Sequence, residues 1–547
     1  MSYRAPIREI RNALEASADL WSLKDRFPDL DEGLLEAILE SAGALAADTL
    51  APINRLGDRA GLHLNDGAVA TPNGFKEAYA AFRDGGWQGL AADPAYGGQG
   101  LPRAVALACM EMVHAANMSF GLCPMLTAGA VEAIDHHGAP EQKQLYLGKL
   151  VSGVWTGTMN LTEPQAGSDV GALTTRATPR ADGSYAITGQ KIFITWGEHD
   201  LAPNIIHLVL ARIEGAPAGS KGISLFVVPK FHDGARNGAR CIGLEEKMGI
   251  HASPTCTMAY EGATGWLLGE ENKGLAAMFT MMNAARLNVG LQGVAVAEAA
   301  YQKALSYAKE RRQGGGLIIE HADVRRMLLT MKAKIQAGRA LCYATAVAAD
   351  RGDGAREDLL TPIAKAWCTD LGVEVASLGV QVHGGMGYIE EGGAAQYYRD
   401  ARIAPIYEGT NGIQAIDLYG RKLLRDRGEA MTVQIAECRA AADAAGDANV
   451  RARLLDAAST LEAATAFMLS TPREDALAGA SAYLSLAGDV IGAALLARGA
   501  ARSGDRELAA LLRFFADSVL PHASARAAEA RAGAACLRDA ALGDFAG

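Results

Sequence analysis

Much of what this sequence could do is set by what it lacks. Its eight cysteines, Cys109, Cys123, Cys241, Cys256, Cys342, Cys368, Cys438 and Cys536, are widely spread and form no C-x-x-C pair, so buried reduced thiols are expected rather than a disulfide framework. The histidines show neither H-E-x-x-H nor Cys/His clustering at zinc spacing, and no protein-ligated metal is expected. No run of 18 apolar residues occurs, which removes a membrane-spanning helix. The N-terminus, MSYRAPIREIRNALEASADLW, is charged throughout and has no apolar core before a cleavage site, so the expected location is cytoplasmic.

Nucleotide and hydrolase signatures are missing as well. Neither Gly98-Gln99-Gly100 nor Gly385-Met386-Gly387 has a glycine three places on, so a Rossmann dinucleotide site is unsupported. GAPAGSKG at 215–222 has Ser220 where a phosphate loop needs its second glycine, and no G-x-S-x-G elbow accompanies His383-Gly384-Gly385. Residues 431–547 contain no lysine and carry 11 Arg against 14 Asp and Glu. With a net charge of −10 for the whole chain, this disfavours wrapping nucleic acid. Proline is scarce, 18 residues or about 3% against the usual ~5%, while the 62 glycines are in excess. Long helices joined by tight turns satisfy both.

A length of 547 residues implies about three or four domains. Helical spacing dominates residues 1–153: Leu34, Leu35, Ile38 and Leu39 recur on one face, as do Val105, Cys109, Met112 and Val113. Over 154–272 the texture changes to β-branched runs such as KIFITW, NIIHLVLARI and GISLFVVPKF, with Ala181-Asp182-Gly183-Ser184 as a hairpin turn. Residues 273–430 return to long amphipathic stretches, 274–312, 322–350, 361–380 and 409–426, that suggest a four-helix bundle. Thr361-Pro362 is expected to cap the third of these. Residues 431–547 are Ala-rich, with Leu484, Ala487, Ile491 and Leu495 on one stripe, and read as a further helical module. The expected fold is mainly α with a central β-barrel-like domain.

Four segments remain: MNLTEPQAGSDVGA at 159–172, KIFITWGEHD at 191–200, VQVHGGMGY at 380–388 and RDARIAPIYEGTNGIQ at 399–414. In this order, on this layout, they resemble the acyl-CoA dehydrogenase family of flavoproteins over about residues 30–425. The extra C-terminal module, HADVRRMLLTMKA and YEGTNGIQAIDLYGRKL look more specifically like the branch that includes 3-methylthiopropanoyl-CoA dehydrogenase.

The resemblance implies an FAD cofactor and an acyl-CoA substrate, oxidised to the trans-2-enoyl thioester. A flat, mostly apolar flavin suits a β domain that offers strand-end amides and hydroxyls. By the same resemblance, Leu161 and Thr162 approach the pyrimidine edge of FAD, Phe193 lies along its ring, and Thr195 hydrogen-bonds the hydride-accepting nitrogen. Arg311 matches an arginine that reaches the cofactor of a neighbouring subunit, and Gln381, Gly384 and Gly385 match a Q-x-x-G-G loop. A homodimer or dimer of dimers is implied. Here Gly314 to Gly316 replace the family's usual aromatic-glycine pair.

Glu408 matches the catalytic base, which takes the α proton, while its backbone N–H and a ribityl hydroxyl of FAD hold the thioester oxygen. Burial between flavin and acyl chain is expected to raise its pKa. Gly409 allows close approach of backbone to substrate, and Thr410 is expected to bind the cofactor. Some family members carry the base one residue before the arginine of MMNAARLNVG; here that position is Ala285, which leaves Glu408 as the base candidate. Arg286 matches an arginine near CoA, Ser168 a residue at the pantetheine arm, and Asn283 stands where many members have Asp. Electrons are expected to pass to an electron-transfer flavoprotein. Oxygen as acceptor, as in an acyl-CoA oxidase, and a flavin-containing nucleic-acid-binding relative are the alternatives.

Overall fold

The computed structural model describes residues 3–539, apart from the side chain of Cys536. The other seven cysteines are buried free thiols. The chain divides into two compact units, one formed by Ala37–Asn288 and the other by Pro6–Glu36 with the chain from Val289 onward. The architecture is mainly helical with a central β domain, as the periodicity predicted.

In the first unit, helices surround a barrel. The Met118–His137 helix is buried along most of its length and contributes Phe120 to an aromatic cluster with Phe75, Tyr79 and Phe82. This helix packs closely on the Thr156–Asn160 strand: Thr127 Oγ1 accepts from the Gly157 N–H at 3.1 Å. That strand is fully buried and pairs parallel with Ile205–Ile213, whose Ile205 to Ala211 are also buried. A strand covered on both faces explains its apolar run, interrupted over the buried stretch by His207. The strands Thr255–Leu268, Tyr185–Thr195, Arg176–Pro179, Ile205–Ile213 and Ser224–Pro229 pair in sequence, and the last returns to the first, closing a ring. The predicted hairpin turn joins two of them, with Asp182 Oδ1 accepting from the Ser184 amide and hydroxyl.

The ring is irregular close to the end of the Tyr185–Thr195 strand. Thr195 and Ile194 pair with Thr255 and Cys256, but the next partners are Lys191 and Met258, so two residues oppose one. This β-bulge falls at Ile192 and Phe193. Phe193 takes a left-handed φ of +60° and turns outward, 58% exposed, while Lys191 and Ile194 point into the core.

The second unit holds the Ala322–Arg351 and Gly354–His383 helices, the later part of Gly274–Glu310, and a short fourth element. That element, Asn411–Asp417, runs into a wider π-helical turn at Leu418–Leu423. Thr361-Pro362 does not begin the third helix. It starts at Gly354, where Asp353 accepts from the Arg356 amide, and Pro362 lies inside it. The upstream aspartate supplies the cap, and the missing proline N–H removes a single intrahelical bond.

The same unit contains the Ala-rich module, whose axis is the Arg473–Ser503 helix. By length and composition this helix could cross a membrane, yet its apolar stretch is mostly buried inside the protein. Trp367 of the Gly354–His383 helix donates its indole N–H to Asp489 Oδ1 at 3.0 Å, and Arg526 pairs with Asp489 Oδ2 at 3.0 Å. Gly488 makes room for that indole: a Cβ there would stand 2.3 Å from Trp367 Cγ. Gly488→Ala is therefore expected to destabilise this unit by ~1–3 kcal/mol through overpacking. Thermal unfolding tests this, and an unchanged melting temperature would refute the close approach.

Candidate active site

The residues singled out from sequence fall into two groups, one on each unit. On the first, the chain leaves the Thr156–Asn160 strand as Leu161-Thr162-Glu163 and is pinned beside the bulged strand. The Ile192 amide donates to the Thr162 carbonyl at 2.9 Å, and Lys191 Nζ donates to the Leu161 carbonyl at 2.9 Å. Thr158 Oγ1 donates to the Thr195 carbonyl at 2.6 Å. The structure thus brings Leu161, Thr162, Phe193 and Thr195 to one edge of the barrel. Leu161, Thr162 and Thr195 are half-buried there, and Phe193 stands exposed beside them.

Beneath this edge lies a device that sequence reading missed. Lys191 is fully buried and ion-paired to Glu163 at 2.8 Å. Glu163 also accepts from the Thr174 and Thr175 amides and hydroxyls at 2.6–3.0 Å. Burial alone would raise the Glu163 pKa, but the Lys191 charge and the convergent donors overcome it and hold the carboxyl at about 2. Burial lowers Lys191 to about 8 against the opposing pull of Glu163. The visible signal was T-E-P followed by T-T, a carboxylate with hydroxyl donors 11 and 12 residues on. The contribution of Lys191 depends on strand pairing.

The remaining members of the first group are Ser168, Asn283 and Arg286. Ser168 is exposed in the loop after Gly167, and Asn283 is exposed on the Gly274–Glu310 helix. Arg286, one turn further and only 5% exposed, places its guanidinium 5.8 Å from the Phe279 ring centroid.

On the second unit, Glu408 and Gly409 take left-handed φ values of +55° and +87° just before the Asn411–Asp417 helix. Thr410 caps that helix, its Oγ1 accepting from the Ile413 amide at 3.3 Å. Buried Gln414 donates back to the Gly409 carbonyl at 3.2 Å and the Glu408 carbonyl at 3.4 Å. Tyr407, whose hydroxyl donates to Gln292, has its pKa raised well above the usual by burial and by the Glu408 and Asp400 carboxylates. A left-handed glutamate is a strained conformation, held here by a closed set of hydrogen bonds.

The other site residues of this unit lie elsewhere on it. Arg311 is exposed at the end of the Gly274–Glu310 helix, and Gly314 and Gly315, both at positive φ, form the turn beyond it. Tyr307 stacks on His383 with centroids 4.5 Å apart, which joins this helix end to the last turn of the Gly354–His383 helix; the expected Q-x-x-G-G loop is therefore only partly a loop, with Gln381 in that turn and Gly384 and Gly385 just beyond it. Asn411 contacts residues 365–370 of the Gly354–His383 helix, whereas the glycine loop lies past its C-terminus. At 1.5 Å per residue, the intervening stretch spans roughly 20 Å. The helix end that carries Arg311 and the glycines thus meet through Tyr307 and His383, while the turn that carries Glu408 is bonded to residues 365–370.

These features suit FAD. An exposed phenyl ring on a rigid bulge, flanked by half-buried threonines, offers a face to a flat ring system. A Cβ at Gly384 or Gly385 would meet no atom within 4 Å, which leaves their backbone open to a phosphate, and the exposed Arg311 guanidinium is a further group of the kind a phosphate needs.

Comparison with known proteins agrees with this reading. Domain models of acyl-CoA dehydrogenase match residues 35–154 (N-terminal), 158–263 (middle) and 272–424 (C-terminal), and an acetyl-CoA dehydrogenase C-terminal-like model matches 434–541. The chain belongs to the acyl-CoA dehydrogenase family: it is an oxidoreductase that acts on acyl-CoA substrates, with FAD as its cofactor. Among particular proteins, it is 46% identical to 3-methylmercaptopropionyl-CoA dehydrogenase of Ruegeria pomeroyi, over 96% of this chain and 97% of that relative. A chain in the structure of the electron transferring flavoprotein of Acidaminococcus fermentans is 31% identical, with a TM-score of 0.64 over 73% of this chain and 99% of that one. The fold also matches ACDH-11 of Caenorhabditis elegans, at 20% identity and a TM-score of 0.80, over 95% of this chain and 92% of that one.

Proposed function

We propose that this enzyme removes the α proton and β hydride of an acyl-CoA thioester to give the trans-2-enoyl-CoA, with Glu408 as the base. The observation that carries this reading is the Glu408-Gly409 turn, two consecutive left-handed residues at the start of a helix. That geometry presents a carboxylate and a backbone N–H from one turn. The carboxylate takes the α proton, and the two electrons of the α C–H bond become the new C=C bond as hydride leaves the β carbon. The Glu408 N–H holds the thioester oxygen as negative charge develops on it. FAD, when bound, supplies the acceptor for that hydride.

Leu161, Thr162, Phe193 and Thr195 hold the flavin ring, and Thr410 also binds the cofactor. Arg311, Gln381, Gly384 and Gly385 bind the cofactor of a neighbouring subunit, which makes the enzyme at least a dimer. Their distance from Glu408 along the Gly354–His383 helix supports this assignment. Ser168, Asn283, Arg286 and Gly409 line the substrate. The substrate is 3-methylthiopropanoyl-CoA or a fatty acyl-CoA, and an electron-transfer flavoprotein is the electron acceptor.

Flavin absorbance during anaerobic titration with acyl-CoAs of different length, branching and sulfur content tests the reaction and ranks the substrates. Bleaching by at least one thioester is expected, and none by any would refute the proposal. Prompt reoxidation in air with release of peroxide would replace the dehydrogenase by an oxidase. Arg311→Ala is expected to weaken FAD retention by about tenfold, the value of one charge-assisted contact to a phosphate. Unchanged flavin content after dialysis would remove Arg311 from the cofactor site.

Acid should release the flavin through Glu163. Its folded-state pKa lies below the ordinary 4.5, so its stabilisation is complete above that pH and fades as pH falls toward about 2. Lys191 changes stability with the same sign but in a higher window: its cost is complete below about 8 and eases as pH rises toward 10.5. Flavin fluorescence should therefore rise on acidification below about pH 4.5. A rise that is the same in wild type and Glu163→Gln would show that another group controls release.

A further inference from the structure

The turn that carries Glu408 is tied to the rest of its unit by Tyr407, whose hydroxyl donates to Gln292, and by several hydrogen bonds of Asn411. Asn411 is the first residue of the helix after that turn, and its amide N–H donates to the Pro405 carbonyl at 3.0 Å, closing the loop around Glu408. Its side-chain oxygen accepts from Lys365 Nζ at 2.9 Å, and its Nδ2 donates to Asp370 Oδ1 at 2.8 Å, Thr369 Oγ1 at 3.0 Å and the Ala366 carbonyl at 3.1 Å. Lys365 is fully buried and can only donate, which fixes the orientation of the amide. The position therefore needs an acceptor on one side and donors on the other. Asparagine provides both; aspartate would set a second carboxylate against Asp370 and the Ala366 carbonyl.

The stretch of helix that Asn411 grips, residues 365–370, also contains Trp367. Trp367 is held from the added C-terminal module by the buried carboxylate of Asp489, itself paired to Arg526, with Gly488 fitted beneath the indole. A continuous series of bonds thus runs from the module, through one helical turn, to the residue three places after Glu408.

We infer that Asn411 is a positioning residue for Glu408, and that the C-terminal module braces it through Asp489 and Trp367. This rests on Glu408 being the base. Asn411 touches neither reacting carbon; it sets where the carboxylate stands, and the module keeps the supporting helical turn from shifting. The module, whose sequence gives no sign of chemistry, is then part of the catalytic apparatus without contributing a reacting group.

The test measures kcat per bound flavin and KM for Asn411→Asp, Asn411→Ser and Trp367→Phe, with Glu408→Gln alongside. A displacement of about 1 Å costs on the order of 100-fold in rate. Both Asn411 variants should lose about that factor in kcat per flavin, with KM changed less than about threefold, and Trp367→Phe, which removes the indole N–H and part of the ring packed on Gly488, about tenfold. Because activity is counted per bound flavin, partial unfolding does not mimic the effect. Wild-type kcat per flavin in the Asn411 and Trp367 variants, with bleaching lost in Glu408→Gln, would overturn the positioning role and leave the base assignment standing. Bleaching retained in Glu408→Gln would overturn the base assignment instead.

Discussion

Glu408→Gln is expected to keep its FAD and bind acyl-CoA, yet lose substrate-driven bleaching of the flavin by about 10³- to 10⁴-fold in rate. Removal of a positioned general base costs ~10²–10⁴, and the upper end applies because no second base stands at the alternative position, which is Ala285. Glutamine preserves the shape and the backbone N–H of the turn, so flavin content and melting temperature should match the wild type. Stopped-flow absorbance under anaerobic conditions reads the rate directly. Retention of the wild-type rate would refute the assignment.

The second large effect is expected at Glu163. Glu163→Gln removes the carboxylate and leaves the Lys191 ammonium buried with 0% side-chain exposure. Breaking one side of a buried ion pair costs ~3–5 kcal/mol. For a unit of about 250 residues this lowers the melting temperature by roughly 10 °C. FAD should be lost with it, because Lys191 also holds the Leu161 carbonyl. Glu163→Gln combined with Lys191→Met should recover much of the stability, since no charge is then left unpaired. A single variant with unchanged melting temperature and flavin content would show that the pair does not support the cofactor edge.

The order of T-E-P, ITWG, Q-x-x-G-G and Y-E-G-T in the chain was enough to identify the family. Periodicity was enough to identify the helices, the β domain and the Ala-rich module, because each depends on the spacing of residues within one element. The hairpin at Asp182-Gly183 was legible for the same reason. Thr361-Pro362 misled because a local cap signal competes with any stronger one upstream, and Asp353 stands eight residues earlier.

Other features depended on residues distant in sequence. A pattern of alternating residues does not reveal where a bulge falls, so the outward turn of Phe193 came only from the pairing of its strand with Thr255–Leu268. Lys191 reads as an ordinary surface lysine until a neighbouring strand end brings Glu163 to 2.8 Å. Asn411 looks like a helix-start residue until the Gly354–His383 helix supplies Lys365 and Asp370, and Asp489 is one acid among many until Trp367 reaches it. The sequence by itself determined the family and the elements, and pointed to Glu408 as the base candidate, because these reside in short motifs and local spacing. The tertiary structure alone decided which side chains are bonded around those segments, because a buried charge or amide acquires its partners only through folding.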